Sequence, residues 1–301
     1  MRGLVIVNPN AGSFEAVSSL AGRLAEVGLT VRQTAQEGDA RSAAKGAADE
    51  GFDTVIAAGG DGTVSEVVDG LVAGGGRARL GILPVGTGND LARTLAIPLG
   101  AEAALDSLLA ERERAIDLVR VDVDGQASTL AANVAAGGFS TLVDEELSAE
   151  AKKRWGTLAY IFTAARVLPD MAEHRTAIAW DDGETIATDA IAILVANGRS
   201  VAGGQVVAPT ASVEDGLLDV IVIHPGSLLD LAGVAARLAL GNLLASDAVE
   251  LRRATALSVV SSPPMRFNVD GELLPPGNTT FRILPRALRV LVGADYAPSS
   301  A

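Results

Sequence analysis

The chemistry on offer gathers around an aspartate set among glycines. "GGDGT", Gly59 to Thr63, follows the apolar run "TVIAA" and precedes a helical pattern. In an open parallel sheet, ligands bind beyond the carboxyl ends of the strands, where helix N-termini offer free N–H groups and a positive dipole end. Gly59, Gly60 and Gly62 are expected to turn with positive φ and bring the backbone close to a phosphate. Asp61 can approach a phosphate only through a cation, so the loop points to a nucleotide with Mg²⁺. The plain alternative is a tight turn with a helix cap.

Two further loops weigh against that alternative. "PVGTGNDLAR", Pro84 to Arg93, follows the next strand, and the small-residue loop Asn8 to Gly12 follows the first. A Walker A loop is excluded because Lys45, Lys152 and Lys153 all lie outside the glycine loops. A dinucleotide fingerprint is disfavoured because its third glycine position is Leu91 and the motif follows the fourth strand.

The elements that must position these loops follow a regular alternation. "LVIVN", a helix over 14–27, "LTVRQT", a helix near 39–49, "DTVIAAGG", a helix from Thr63, "RLGILPV" and helices to about Ala110 read as βαβ crossovers on a parallel sheet. After about residue 120 the pattern becomes antiparallel, with hairpin turns at Asp124-Gly125 and Asp182-Gly183. Helical insertions are expected at 153–168 and 228–244. Two domains result: an α/β nucleotide-binding domain over 1–120 and a mostly antiparallel β-rich domain over 121–285.

Composition narrows the classes. The 301 residues include 49% hydrophobic side chains, ample for a core, and no cysteine, which excludes disulfides and thiolate metal sites. With only His174 and His224, a metal here is a hard cation on oxygen ligands. A net charge of −13 gives no footprint for nucleic acid. The amino terminus lacks a signal-peptide pattern, and the segment 228–244, interrupted by Asp230 and Arg237, falls short of the ~20 apolar residues of a spanning helix. The expected location is the cytoplasm, with any membrane contact transient and peripheral.

At this point the residues resemble a known family, the lipid kinases with a diacylglycerol kinase catalytic domain, which includes soluble bacterial diacylglycerol kinases and relatives of sphingosine kinase. The resemblance rests on "NPNAG" (8–12), "GGDGTVSEVVDGL" (59–71), "PVGTGNDLAR" (84–93), "DGLLDV" (215–220) and "DGE" (270–272), in that order along nearly the whole chain. "GGDGT" is shared with NAD kinases and resembles a phosphofructokinase loop, so "GTGNDLAR" is the discriminating stretch. The resemblance implies an amino-terminal domain like that of NAD kinase and phosphofructokinase, a β-sandwich-like carboxyl-terminal domain, and an ATP site in the cleft between them. It also implies that the last strand, within 286–301, returns to the first domain.

By position, the resemblance assigns Asn8, Gly59, Gly60, Gly62, Thr63, Thr87 and Asn89 to the nucleotide. It assigns Asp61, Asp90 and Asp215 to an aspartate and water network around Mg²⁺. Glu272 would be the general base toward the lipid hydroxyl, with Asp61 its rival, and Asp270 would orient that base or bind a cation. Each carboxylate also has a plainer reading: Asp270-Gly271 and Asp215-Gly216 as turns, Asp90 as a helix cap. One departure stands at Ser140-Thr141, where many relatives carry an aspartate before a small residue.

The resemblance implies that the acceptor is a diacylglycerol-like or other amphipathic alcohol. Candidate walls for it are "WGTLAYIFTAARVL" and "LLDLAGVAARLALGNLL", and "KKRW" (152–155) sets three cations beside an indole as at a headgroup interface. An NAD-kinase-like enzyme on a soluble substrate and a non-catalytic nucleotide or lipid sensor remain as alternatives. An exposed strand of the second domain could pair across a homodimer.

Overall fold

The structure, a computed structural model, describes residues 1–9, 17–138 and 173–298. Asn10 to Gly12, the helix expected over 153–168, Ser140-Thr141 and "KKRW" lie outside the described residues.

The chain divides into two units: residues 1–118 with 285–301, and residues 119–284. In the first, β1 (Gly3–Val7), α1 (Ala21–Glu26), β2 (Thr30–Gln33), α2 (Asp39–Gly46), β3 (Thr54–Gly59), α3 (Asp61–Ala73), β4 (Arg79–Pro84), α4 (Asp90–Thr94) and α5 (Ala101–Leu109) alternate as the sequence pattern demands. The strands lie in the order β2-β1-β3-β4, all parallel. All residues of β1 and β3 are buried, as expected of strands covered on both faces by crossover helices. Registers Val7↔Ala58 and Gly59↔Pro84 bring the carboxyl ends of β1, β3 and β4 side by side.

Helix α3 begins at Asp61, two positions ahead of the Thr63 start expected from sequence. Gly60 is extended (φ −93°, ψ −169°) and takes the N-cap position, so Asp61 is already helical.

The second unit is built on β5 (Glu113–Val123), β6 (Thr129–Ala131), β7 (Val134–Gly138), β8 (His174–Trp180), β9 (Thr185–Ala190), β10 (Ala192–Ala196), β11 (Ser200–Val201), β12 (Gln205–Val206), β13 (Leu218–Ile223), α6 (Leu228–Ala239), β14 (Val249–Ala254), β15 (Ala256–Ser262), β16 (Phe267–Val269), β17 (Glu272–Leu273) and β18 (Thr279–Leu291). A six-stranded antiparallel sheet runs β14-β13-β10-β7-β16-β17, and a second antiparallel run joins β18, β15, β8 and β9. Alternating burial along β8 marks one face as core. Val119, Val121, Trp180, Val195, Val220, Phe267 and Phe281 share that core, with the two phenyl rings meeting edge to face at 4.9 Å.

A separate apolar cluster covers the other face of the six-stranded sheet, where Leu231 and Val234 of α6 pack with Ile221 and Ile223. Helix α6 starts with a reciprocal cap between Ser227 and Asp230. Asp182-Gly183 does form a hairpin tip, while the link from β5 to β6 at Asp124-Gly125 is longer than two residues.

The chain passes between units inside two strands, β5 and β18. The first part of β18 pairs with β15, and its Val290 pairs in parallel with Leu80 of β4. At the crossing Arg286 adopts a positive φ of 50°, and its N–H donates to the buried Asp117 carboxylate at 2.7 Å.

Candidate active site

In the first unit, Asn8, the Gly59 to Thr63 loop and the Thr87 to Asp90 loop follow β1, β3 and β4, so the expected nucleotide set shares one sheet end. Asp61 ties two of these loops together. Its Oδ2 accepts the Asn89 N–H at 2.9 Å and its Oδ1 accepts the Asp90 N–H at 2.8 Å. Asn89, left-handed at φ 56°, closes its own loop: Oδ1 accepts the Gly86 N–H at 3.1 Å and Nδ2 donates to the Gly86 carbonyl at 2.8 Å. Thr87 at the tip is exposed, whereas Asn89 and Asp90 are buried.

The glycines serve close approach. Gly59, Gly60 and Gly62 are absent from the positive-φ residues, so the expected reason for them is corrected, and the left-handed residue of the pair of loops is Asn89. A Cβ on Gly86 would stand 2.2 Å from the Gly60 Cα, and one on Gly88 would stand 2.2 Å from the Asp61 Oδ2. Gly62 differs, since a Cβ there would meet nothing within 4 Å.

The amides of Gly62 and Thr63 lie ahead of the first intrahelical bond of α3, from the Val64 N–H to the Gly60 carbonyl at 3.1 Å. They form an open N-terminus of a thirteen-residue helix, a fit for phosphate oxygens. Burial, then the nearby Asp90 carboxylate, raises the Asp61 carboxyl above its ordinary value, while the amide hydrogen bonds pull it partway back. Two neighbouring carboxylates at the cost of mutual repulsion fit a cation, which would relieve both.

In the second unit, registers Ala196↔Val134, Ala196↔Asp219 and Val269↔Ala135 place the start of β7, the end of β10, the start of β13 and the end of β16 at one end of the six-stranded sheet. Asp215, Asp270 and Glu272 all lie there. Asp215 is half-buried in a turn with Gly216 at φ 73°, and its Oδ1 accepts the Leu217 N–H at 3.0 Å. Burial and, more weakly, Asp219 raise its carboxyl. Asp219 is buried and paired with the Arg253 Nε at 3.2 Å.

The Asp270 carboxylate accepts the N–H groups of Ala132, Asn133 and Val134 at 2.6, 3.1 and 2.9 Å. Glu272 is exposed at the start of β17. Among the described residues, no three or more Asp, Glu or His side chains converge as a metal-holding group.

Two buried asparagines at this sheet end, Asn133 and Asn197, escaped the reading of the sequence. Their signal was available, because "LAANVAAGG" and "ILVANG" each set an amide in an apolar strand context where it must find partners.

Comparison with known proteins follows the same division. Residues 2–121 match the diacylglycerol kinase catalytic domain, and residues 132–292 match the YegS C-terminal NAD kinase β-sandwich-like domain. A Pseudomonas aeruginosa protein named "Probable lipid kinase YegS-like" is 36% identical over 95% of this chain and 92% of its own. A Staphylococcus saprophyticus protein named "Diacylglycerol kinase" is 31% identical over 90% of this chain and 88% of its own. The solved structure of a diacylglycerol kinase from Bacillus anthracis shares the fold, with a TM-score of 0.79 at 23% identity over 97% of both chains.

Proposed function

Since this chain belongs to the diacylglycerol kinase catalytic-domain family, with a YegS-type β-sandwich-like second domain, we propose that it transfers the γ-phosphoryl group of ATP to a hydroxyl of a diacylglycerol-like or other amphipathic alcohol. The observation that carries this reading is the Asp61 bridge between the two glycine loops beside the open N-terminus of α3. The names of the relatives favour a lipid acceptor over a soluble one.

Bound Mg²⁺ and ATP would supply the phosphoryl donor and neutralise its charge. The chain's own contribution is positioning. Amides of Gly62 and Thr63, with Asn8, Gly59, Gly60, Thr87 and Asn89 around them, would hold the phosphates, and the neighbouring carboxylates of Asp61 and Asp90 would hold the cation. Glu272 takes the proton of the acceptor hydroxyl. Its exposed carboxylate is available for that exchange, whereas both oxygens of Asp61 are engaged by backbone amides.

Contact with a membrane is peripheral in this reading. Among the described residues no helix is long and apolar enough to cross one. Leu229 and Leu240, 85% and 83% exposed at the two ends of α6, are suited to rest against lipid.

The test incubates the protein with Mg²⁺, γ-labelled ATP and mixed micelles carrying diacylglycerol, phosphatidylglycerol, a sphingoid base or no lipid, with NAD as the soluble control. Label in one lipid, absent with Asp61→Ala, supports the reading and names the acceptor class. Label in NAD alone overturns it.

A further inference from the structure

In the second unit β9 is the last strand of the run β18-β15-β8-β9, and β14 is the last strand of the six-stranded sheet. Between these two sheet ends lies a slot of about 260 Å³, open to solvent along its rim. Its walls are Ile178, Trp180 and Ile186 from one sheet and Val220 and Val222 from the other. One polar group in this apolar lining lacks a partner. Trp180 is 6% exposed, and among the described residues its Nε1–H donates to nothing. A buried indole N–H ordinarily finds an acceptor, and an orphan of this kind marks a place where something else supplies one.

The polar groups at the rim are already engaged. The Thr188 Oγ1 lies 3.2 Å from the His224 Nδ1, and the Glu250 Oε2 lies 3.4 Å from the His224 Nε2. Arg252 of β14 stands over the Trp180 ring, 4.4 Å from its centre. It reaches across to the β8–β9 hairpin, where it donates to Asp182 at 2.6 Å and Glu184 at 2.7 Å. Those two carboxylates are 55% and 54% exposed, and ion pairs so exposed open at little cost. Arg252 is thus a strap over the slot and not a plug in it.

We propose that this slot is a non-catalytic binding site for a neutral aliphatic molecule carrying one hydrogen-bond acceptor, of the class of the aliphatic alcohols. The acceptor oxygen takes the Trp180 N–H, and the hydrocarbon lies along Ile178, Ile186, Val220 and Val222. The rim sets the charge. Arg252 is matched by two carboxylates and Glu250 adds a third, which disfavours an anion, while the ring face that a cation would use is taken by Arg252. The site is separate from the proposed chemistry. In the order β14-β13-β10-β7-β16-β17, five strand intervals, about 24 Å in all, divide the β14 edge from the strand of Glu272.

The test is calorimetric titration of the full chain with 1-octanol and with octanoate, in the absence of ATP. Octanol should bind saturably at one site, with octanoate weaker by at least about 10-fold because its charge must be desolvated beside three carboxylates. Trp180→Phe keeps an aromatic ring and removes the donor, so octanol should bind about 5- to 10-fold more weakly, the loss of one neutral hydrogen bond. Ile186→Phe narrows the slot from the edge strand and should abolish binding; it guards against Trp180→Phe failing to fold. Arg252→Gln releases the strap and should tighten binding by up to about 5-fold.

Octanol binding that survives unchanged in folded Trp180→Phe and Ile186→Phe proteins would put the alcohol elsewhere and overturn the proposal. Absence of saturable binding to the wild type would overturn it too, and so would octanoate binding more tightly than octanol. Each of these outcomes leaves the kinase reading untouched, since the micelle assay tests that reading on its own.

Discussion

The Asp61 carboxylate and the Asn89 amide, 2.9 Å apart, join two strand-to-helix loops 28 positions apart in sequence. With the second bond to Asp90, this one side chain decides whether the two loops present a common surface. Asp61→Ala should therefore abolish phosphoryl transfer. It should also destabilise the fold by about 1–3 kcal/mol, the balance of two lost charge-assisted bonds against relief of a buried charge. Urea unfolding beside the micelle assay checks both, and unchanged activity would remove Asp61 from the site.

Glu272 is exposed, so its predicted profile is the opposite. Glu272→Gln should change stability by less than ~0.5 kcal/mol and lower kcat by about 10² to 10⁴-fold. A rate within a few-fold of wild type would return the base role to Asp61.

Gly62 separates a folding requirement from a binding one. It lies in the first turn of α3 with open space around its position and without a positive φ, so Gly62→Ala should stabilise the folded chain by up to about 1 kcal/mol. If the residue is small so that phosphate can approach, the same change weakens nucleotide binding, measurable by calorimetry. Gly86→Ala should instead destabilise by about 1–3 kcal/mol, because its Cβ would meet the Gly60 Cα at 2.2 Å. Equal affinity in Gly62→Ala and wild type would refute the phosphate contact.

The Asp61 carboxyl is raised from its ordinary value of 3.8, first by burial and then by Asp90. The folded chain thus holds that proton more tightly than the unfolded chain. Its contribution to stability is complete below the ordinary value and is lost as pH rises through the folded value. Asp61→Asn lacks this term, so the melting temperature of wild type relative to the variant should fall as buffers move from about pH 4 toward neutrality. Mg²⁺ with nucleotide should flatten that trend by favouring the ionised carboxyl. A difference that is constant or grows with pH would contradict the assignment.

Much of the site was legible because the parallel half announces itself: the apolar runs that become β1, β3 and β4 are buried strands, and the glycine loops at Gly59 and Gly86 follow β3 and β4. The physical cause of the glycines was less legible. Sequence implies freedom at Gly59, Gly60 and Gly62, but the constraint is contact between Gly60 and Gly86, which depends on two loops meeting. The start of α3 shifted for a related reason, since an extended Gly60 leaves Asp61 inside the helix. Asp270 shows the other limit. Its turn could be read from Asp-Gly, while its three amide partners lie more than 130 positions away, beyond any local pattern.

The passage of β5 and β18 between the units bears on how the chain is made. Residues 1–118 leave the ribosome long before Val290, which pairs with Leu80 of β4. The first unit to be translated is thus the last to be finished, because its portion of β18 arrives only after every residue of the other unit has been synthesised.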